Sequence, residues 1–365
     1  MARIVSGVSG GVDSAVATAR LLDAGHEVTA VHLVLQHATE LVDAQRLLAA
    51  AEEARRVAER LGVPFETWDL ADDFEAQVLD YFVGEYAAGR TPNPCARCNR
   101  TIKFGVFLRR AQVLGYDGLA TGHYARIVRA AGDGVELHRA ADLPKDQSYV
   151  LAVLGQDQLR RVVLPLGGST KAEVRAEAAK RGLPVAAKAE SMDLCFIPDG
   201  DTARWLQGRL GAVPGDIVDE SGEVLGRHEG TYRYTVGQRK GLNLRRPAAD
   251  GEPRFVLGLD AAKRQVVVGP REHLAVTRLV AGPVVWTSGV TPGEPFAASV
   301  QVRAHGEQYP AAVTQLDDEQ VQIDVRSPII GVAPGQLAVL YEGTRVVASA
   351  TINLAASQLF NTNTC

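Results

Sequence analysis

Along the first part of the chain, apolar positions switch repeatedly between short unbroken runs and a helical spacing. Ile4-Val5 is a short apolar run of the kind that forms a strand. Val12, Val16, Ala19 and Leu22 then recur on one helix face until Gly25, a residue suited to ending a helix. Val28 to Leu35 predicts a buried strand. Asp43 to Leu61 predicts an alanine-rich helix with Leu47, Leu48, Ala51, Ala54, Ala58 and Leu61 on one face. Phe65 to Leu70 predicts a strand and Phe74 to Ala88 a helix. A loop marked by Gly89, Pro92 and Pro94 leads to a helix expected from about Ile102 to Leu114, and Gly118 to Thr121 predicts another short strand. This β-α-β-α order implies a parallel sheet with helices on both faces, and ligands at the carboxyl ends of its strands.

After about residue 200 the pattern changes. Turn signals at Asp219-Glu220-Ser221-Gly222, Leu259-Asp260-Ala261-Ala262 and Asp317-Asp318-Glu319 separate short strand-like runs, among them Val266 to Val268, Ser299 to Val302, Val321 to Val325 and Leu337 to Leu340. The expected organisation is an α/β domain over 1–200, a small, mostly β central module over 201–274 and a β-barrel-like domain over 275–365, whose tail, Asn361 to Cys365, reads as loose.

Composition narrows the class. With 365 residues, 46% of them hydrophobic and 22% charged, the chain can bury a sizeable core. No apolar run is long enough to span a membrane, and no secretory leader is expected ahead of the first strand. Four cysteines, spaced unlike a disulfide framework, fit a reducing cytoplasm. A net charge of −4 excludes attraction of the whole molecule to nucleic acid, so any RNA site must be a local basic patch. One such stretch runs from Thr231 to Ala249. It carries Arg233, Arg239, Lys240, Arg245 and Arg246 without an acidic residue, and Tyr232 and Tyr234 interleave as stacking surfaces. A solvated basic strand or loop is the plainer alternative.

The densest signal is Ser9-Gly10-Gly11-Val12-Asp13-Ser14, at the turn from the first strand into the first helix. Backbone N–H groups and the helix dipole converge there on a natural anion seat. Gly10 and Gly11 lack a Cβ that would hold phosphate oxygens away, while Asp13 and Ser14 are expected to cap the first turn. The mononucleotide loop is excluded because its lysine is missing, and the dinucleotide pattern because the glycine spacing is wrong. The stretch instead resembles the PP-loop, S-G-G-x-D-S, of enzymes that split ATP into AMP and pyrophosphate.

The cysteines supply a second chemistry. Cys95 and Cys98 stand in Thr91 to Arg100, and Cys195 in Ser191 to Pro198. Arg97, Arg100 and Lys103 surround Cys98. Positive charge, and a helix beginning just after Cys98, are expected to favour its thiolate; alternatively, Arg97 and Arg100 hold RNA phosphates. A zinc pair, a redox pair and an iron–sulfur cluster on Cys95, Cys98 and Cys195 stay open as alternatives, and Cys195 taken alone reads as a core residue.

Taken together, Gly7 to Ser14, Thr91 to Phe104, Thr121-Gly122-His123-Tyr124, Lys145 to Tyr149, Asp193 to Pro198 and Thr235 to Gly241 resemble the bacterial tRNA-specific 2-thiouridylase family, whose members place sulfur on C2 of the wobble uridine. The resemblance implies a PP-loop, adenine-nucleotide α-hydrolase-like fold and ATP with Mg²⁺, with Asp13 the nearest carboxylate to the ion. It implies that Gly7, Val8, Ser9, Gly10, Gly11, Val12, Asp13 and Ser14 bind ATP phosphates, and that Leu33 and Gly122 line the adenosine pocket. Cys98 would be the nucleophile and Cys195 the persulfide carrier, the two joining in a disulfide during turnover. Asn93, Pro94 and Cys95 would meet the target base, and Lys145, Asp146, Gln147, Arg303 and Ala304 the tRNA. The partners implied are tRNA and a persulfide donor, either a cysteine desulfurase or a relay protein, in the cytoplasm and with no membrane. The family pattern has aspartate where Cys95 stands and an aromatic residue where Ala304 stands. Two rivals are a PP-loop ligase acting on small molecules and a non-enzymatic RNA-binding module.

Overall fold

The computed structural model describes residues 1–38, 41–130, 134–188, 194–244, 251–293 and 295–357. Its first strands are β1 (Arg3–Gly7), β2 (Glu27–Val34), β3 (Phe65–Asp69) and β4 (Gly118–Ala120), followed by a hairpin of β5 (Arg126–Arg129) and β6 (Val135–His138), and then β7 (Val162–Val163). Strands β3-β2-β1-β4-β7 form one sheet, parallel at every pairing. Ile4, Val5 and Ser6 of β1 are all buried because helices cover both faces, which is why the run is continuous rather than alternating. Helices α1 (Val12–Asp23) and α2 (Leu41–Leu61) follow β1 and β2. Val12, Ala15, Val16 and Ala19 of α1 face inward, and a buried 2.8 Å hydrogen bond between the Ser6 and Thr18 hydroxyls ties α1 to β1.

Two further helices stand between β3 and β4, over 71–87 and 94–113, and each contains a π-wound stretch, Glu75–Leu79 and Asn99–Phe107. The second begins at Pro94, not near Ile102. Asn93 is its N-cap, accepting from the Ala96 N–H at 3.0 Å, and Pro94 supplies a preset φ at the first position. Cys95 and Cys98 therefore lie on this helix rather than in a loop ahead of it.

The second half opens with a helix, Thr202–Leu210, before β8 (Gly215–Val218), β9 (Val224–His228), β10 (Phe255–Asp260) and β11 (Gln265–Gly269) form a four-stranded sheet in the order β10-β11-β8-β9. Tyr232 and Tyr234 are buried, Tyr232 donating to Gly211 O at 2.7 Å and Tyr234 packing with Ile217, Val256 and Val266. They are core residues, not stacking surfaces. Of the basic stretch beside them, Arg239 and Lys240 are exposed, Arg233 pairs with Glu229 at 3.0 Å, and Arg245 and Arg246 lie outside the described residues.

Strands β12 (Ala275–Trp286), β13 (Phe296–Gln301), β14 (Tyr309–Gln315), β15 (Val321–Ile330), β16 (Leu337–Glu342) and β17 (Arg345–Ser357) make an antiparallel barrel in the order β12-β15-β14-β13-β16-β17, closed by β17 pairing with β12. Alternation along β15 sends Val321, Ile323 and Val325 inward. The β5–β6 hairpin joins the outside of β17 through one pair, Arg345 with His138, so a piece of the first domain extends the barrel's sheet. The barrel also shares a hydrophobic core with the first domain, where Leu337, Val339, Tyr341 and Val346 pack in one cluster with Phe74, Ile102 and Tyr149. Thr91 N–H donates to Pro334 O at 2.8 Å and the Tyr149 hydroxyl to Leu337 O at 2.8 Å. The tail Asn361 to Cys365 lies outside the described residues.

Candidate active site

The glycine loop sits at the carboxyl end of β1. Val8 N–H still pairs with Val31 O at 2.8 Å, after which Gly10 turns at φ +71°. That angle is strained for a side-chain-bearing residue, and a Cβ at Gly10 would stand 3.0 Å from Glu53 Cβ. The N-cap of α1 is Gly11, with no side-chain cap, contrary to the expectation for Asp13 and Ser14. Ser14 instead closes the loop on itself: its hydroxyl donates to Gly11 O at 3.1 Å and accepts from Ser9 N–H at 3.2 Å. The first N–H groups of α1 are thus left to an external acceptor, the usual arrangement at an anion seat.

Two lysines that the local sequence did not announce reach this loop. Lys171, the first residue of the helix Lys171–Lys180, places Nζ 2.7 Å from each oxygen of Asp13, and the Tyr124 hydroxyl donates to the same carboxylate at 2.8 Å. Lys188 donates to Gly10 O at 3.1 Å and pairs with Glu53. The signal for Lys171 was readable in part, because Thr170 and Glu173 form a capping box that marks a helix start. Its long-range partner was not readable. Gly122, in the turn after β4, lies against α1: a Cβ there would be 2.7 Å from Ser14 N and 2.8 Å from Asp13 C. Leu33, near the carboxyl end of β2, is half-buried and stands opposite Trp68 of β3.

The thiols lie close enough to act on one another. Cys98 is buried in the main core beside Ile102 and Phe107, and Cys195 precedes Phe196, whose ring meets Phe74 at 6.0 Å and Phe82 at 5.3 Å. Burial pushes the Cys98 thiol up to about 12, with the Lys103 charge opposing it and the neighbouring Cys195 and Cys95 adding to it. Cys195 reaches solvent but is surrounded by protein, which also raises its thiol, against Lys103 and Arg46. Both cysteines therefore answer to one ammonium, Lys103, and they lie within electrostatic reach of each other. The expected low thiol pKa is corrected: desolvation exceeds the positive charge, and Arg97 and Arg100 are not among the charges acting on Cys98. Cys98 and Cys195 are not joined in a disulfide in this structure. From Lys188, at the loop, to Cys195 is a span of chain that cannot exceed about 25 Å.

The remaining expected residues are more dispersed. Asn93 caps the cysteine helix, Pro94 is buried and Cys95 exposed. Asp146 is buried, accepting from Ala140 N–H at 2.9 Å and from the Ser148 hydroxyl at 2.7 Å, so its carboxylate faces inward and holds a turn. Lys145 and Gln147 flank it, half-buried and exposed, the Gln147 Oε1 accepting from Tyr124 N–H at 3.0 Å. Arg303 is exposed, donating to Ile330 O at 3.2 Å and to Gly331 O, and the Ala304 carbonyl accepts from Gln301 at 3.0 Å. Ser191, Met192 and Asp193 lie outside the described residues.

Among the described residues no group of three His, Cys, Asp or Glu gathers into a metal site, and the loop's nearby carboxylates, Asp13 and Glu53, are engaged by lysines. No described helix is long and apolar enough to cross a membrane.

Comparison with known proteins settles the kinship. Residues 2–199 match the family model described as tRNA methyl transferase HUP domain, 203–270 the tRNA methyl transferase PRC-barrel domain and 276–352 the aminomethyltransferase beta-barrel domain. The tRNA-specific 2-thiouridylase MnmA of Acidothermus cellulolyticus is 54% identical over 354 residues, covering 96% of this chain and 97% of the relative. That of Kineococcus radiotolerans is 56% identical over 360 residues, covering 96% and 98%. This chain belongs to the tRNA-specific 2-thiouridylase family. The 2-thiouridylase of Mycolicibacterium smegmatis is 51% identical over 358 residues, covering 96% of this chain and 99% of its own. The motif resemblance and the α/β-then-β architecture both hold.

Proposed function

We propose that this protein is an ATP-dependent tRNA-uridine 2-sulfurtransferase acting at the wobble position, in the cytoplasm. The observation that carries the reading is the proximity of two thiols, Cys98 and Cys195, that share one cation, Lys103, in the domain whose strand-to-helix loop is built as a phosphate seat. Near full-length identity to proteins named for this activity supports it. A small-molecule ligase of the same superfamily would need neither the thiol pair nor two further β domains.

In this reading ATP lies against Gly7 to Ser14, with Leu33 and Gly122 beside the adenosine, and its AMP is transferred to the C2 oxygen of the uridine, releasing pyrophosphate. That oxygen is a poor leaving group until it carries AMP. Cys195, the solvent-accessible thiol, carries a persulfide loaded by a cysteine desulfurase or a relay protein. Its terminal sulfur attacks C2, the C2–O bond breaks, and AMP leaves. The base is then joined to Cys195 through a disulfide. Cys98 attacks the Cys195 sulfur, so that a Cys98–Cys195 disulfide forms and the electron pair of the broken S–S bond stays on the base as its thiocarbonyl. A thiol reductant restores both cysteines. Mg²⁺ would neutralise the charge of the pyrophosphate. Pro94 and Cys95 sit in the first turn of the cysteine helix, where they would face the everted base, while Asn93 caps that turn from the arginine side, and Lys145, Gln147 and Arg303 would contribute donors to the RNA.

The test is mass spectrometry of tRNA nucleosides after incubation with protein, ATP, a persulfide source and reductant. Wild type should yield 2-thiouridine and AMP in step. Cys98→Ser and Cys195→Ser should each abolish 2-thiouridine while keeping tRNA affinity. Full thiolation by either variant would overturn the assignment.

A further inference from the structure

Arg97 and Arg100 stand three residues apart on the cysteine helix, and Cys95 and Cys98 also stand three apart, about half a turn round. The two arginines therefore occupy the face opposite the thiols. That face opens into a cleft between the first domain and the barrel. Tyr81, Asn93, Arg97, Arg100 and Val153 line one wall, and Pro283 and Val285 of β12, Leu337 of β16 and Ser349 and Thr351 of β17 the other. Among the described residues the lining contains two guanidinium groups and no carboxylate.

The two cations have little local compensation. Arg97 donates Nε to Gln77 O at 2.9 Å and lies over the Tyr81 ring at 4.9 Å, which fixes its plane but leaves its charge unpaired among the described residues. Arg100 is exposed and bonds no acceptor among the described residues. Although its side chain reaches solvent, the protein around it and then the neighbouring Arg97 charge both disfavour the Arg100 cation. Like charges held together at a partly desolvated domain junction are unfavourable unless an anion enters. A planar guanidinium presents the paired donors that suit phosphate oxygens, and the Tyr81 and Thr351 hydroxyls add donors on either wall.

We propose that this cleft is a phosphate-binding site for the RNA backbone, in which Arg97 and Arg100, with Thr351 of the barrel, hold a phosphodiester on the far side of the cysteine helix from the reacting base. The proposal rests on the tRNA reading above and adds a role for the barrel: its wall completes the site, so docking of the barrel on the Thr91–Arg100 segment shapes where the strand runs. It also separates the two jobs that positive charge was expected to share on this helix, since Lys103 serves the thiols and the two arginines serve the substrate.

Binding of a transcribed tRNA should be measured for wild type, Arg100→Gln and Arg100→Lys between about 50 and 200 mM salt. Arg100→Gln should bind about tenfold more weakly near 0.1 M salt, and its slope of log affinity against log salt should be shallower by about 0.7–0.9, the value of one phosphate contact. Arg100→Lys should keep the slope. At saturating tRNA the thiolation rate should be unchanged in both, so the defect falls in KM and not in kcat. Thr351→Glu, which brings a carboxylate in from the barrel side, should weaken binding further and provides an independent arm. An Arg100→Gln protein with wild-type affinity and slope, while wild type binds and thiolates tRNA, would overturn the cleft and leave the sulfur-transfer reading intact. Failure of wild type itself to bind tRNA would overturn both.

Discussion

Lys171 Nζ lies 2.7 Å from both carboxylate oxygens of Asp13, across 158 residues of sequence. The pair joins the first turn of α1 to the helix Lys171–Lys180, and a second tie, Arg20 to Glu177 at 2.7 Å, runs parallel to it. Asp13 thus orients a cation beside the glycine loop, where a triphosphate would need one. Asp13→Ala should lower stability by about 1–2 kcal/mol, because Lys171 loses its counter-charge at a half-buried position. It should also reduce ATP turnover at least tenfold. Asp13→Asn combined with Lys171→Met should recover most of the stability and none of the turnover. Thermal melts and AMP release measure the two effects separately, and recovery of turnover in the double variant would show the pair to be purely structural.

Gly122→Ala tests how closely the turn after β4 must approach α1. The added methyl would stand 2.7 Å from Ser14 N and 2.8 Å from Asp13 C, both backbone atoms that cannot rotate away. The first turn of α1 must then shift, and with it the N–H groups of the anion seat. The KM for ATP should rise roughly tenfold or more, with a stability loss of about 1–3 kcal/mol. Gly84→Ala, in a helix with nothing within 4 Å of the new Cβ, is the matched control and should be stabilising by about 0.5–1 kcal/mol. Equal ATP kinetics for both alanine variants would remove Gly122 from the site.

How far the sequence carried can be seen element by element. Strand β1 and helix α1 were legible because Ile4-Val5 and Val12, Val16 and Ala19 report burial that adjacent chain itself creates. The start of the cysteine helix was missed although its marks were present: Asn93 as cap and Pro94 at the first turn are helix signals that the prolines, read as loop residues, concealed. Tyr232 and Tyr234 were misplaced for a different reason. Their burial is set by β8–β11 and by Gly211, which no local pattern reveals. The same holds for Lys171 and Lys188, and for β5–β6, whose attachment to β17 depends on a strand more than two hundred residues away.

The thiols should differ in reactivity with pH. Cys95 and Cys195 reach solvent, whereas Cys98 is 7% exposed and raised to about 12. A raised pKa keeps Cys98 almost wholly protonated at neutral pH. Iodoacetamide at pH 7.5 should label Cys95 and Cys195 well before Cys98. Labelling of Cys98 should rise about tenfold per pH unit until near pH 12, wherever the fold persists. The unfolded thiol ionises near 9.0, so the fold should lose stability as pH rises between that value and about 12. Peptide mapping after alkylation reads the order directly, and prompt labelling of Cys98 at neutral pH would contradict its burial.

Lys103 is the residue on which the two thiols converge, and its removal should affect both. The side chain is half-buried on the cysteine helix, its charge favours the thiolate of Cys98 and of Cys195, and the same charge helps to hold the buried His123 neutral. Lys103→Met should therefore raise both thiols further above their usual range. The expected result is an alkylation rate at Cys195 lower by about threefold or more at pH 7.5, because less of the thiol is ionised once the ammonium is gone. Sulfur transfer measured as 2-thiouridine formation should slow by a similar factor or more, and the ascending limb of its pH profile should move to higher pH. Lys103→Arg should keep the profile near wild type, because it keeps the charge while changing the shape. A structural role alone would lower the rate at every pH without moving the limb, so the displacement of the profile distinguishes the two. An unmoved profile in Lys103→Met, with normal folding, would mean that the ammonium does not govern the thiols and that another group deprotonates them during turnover.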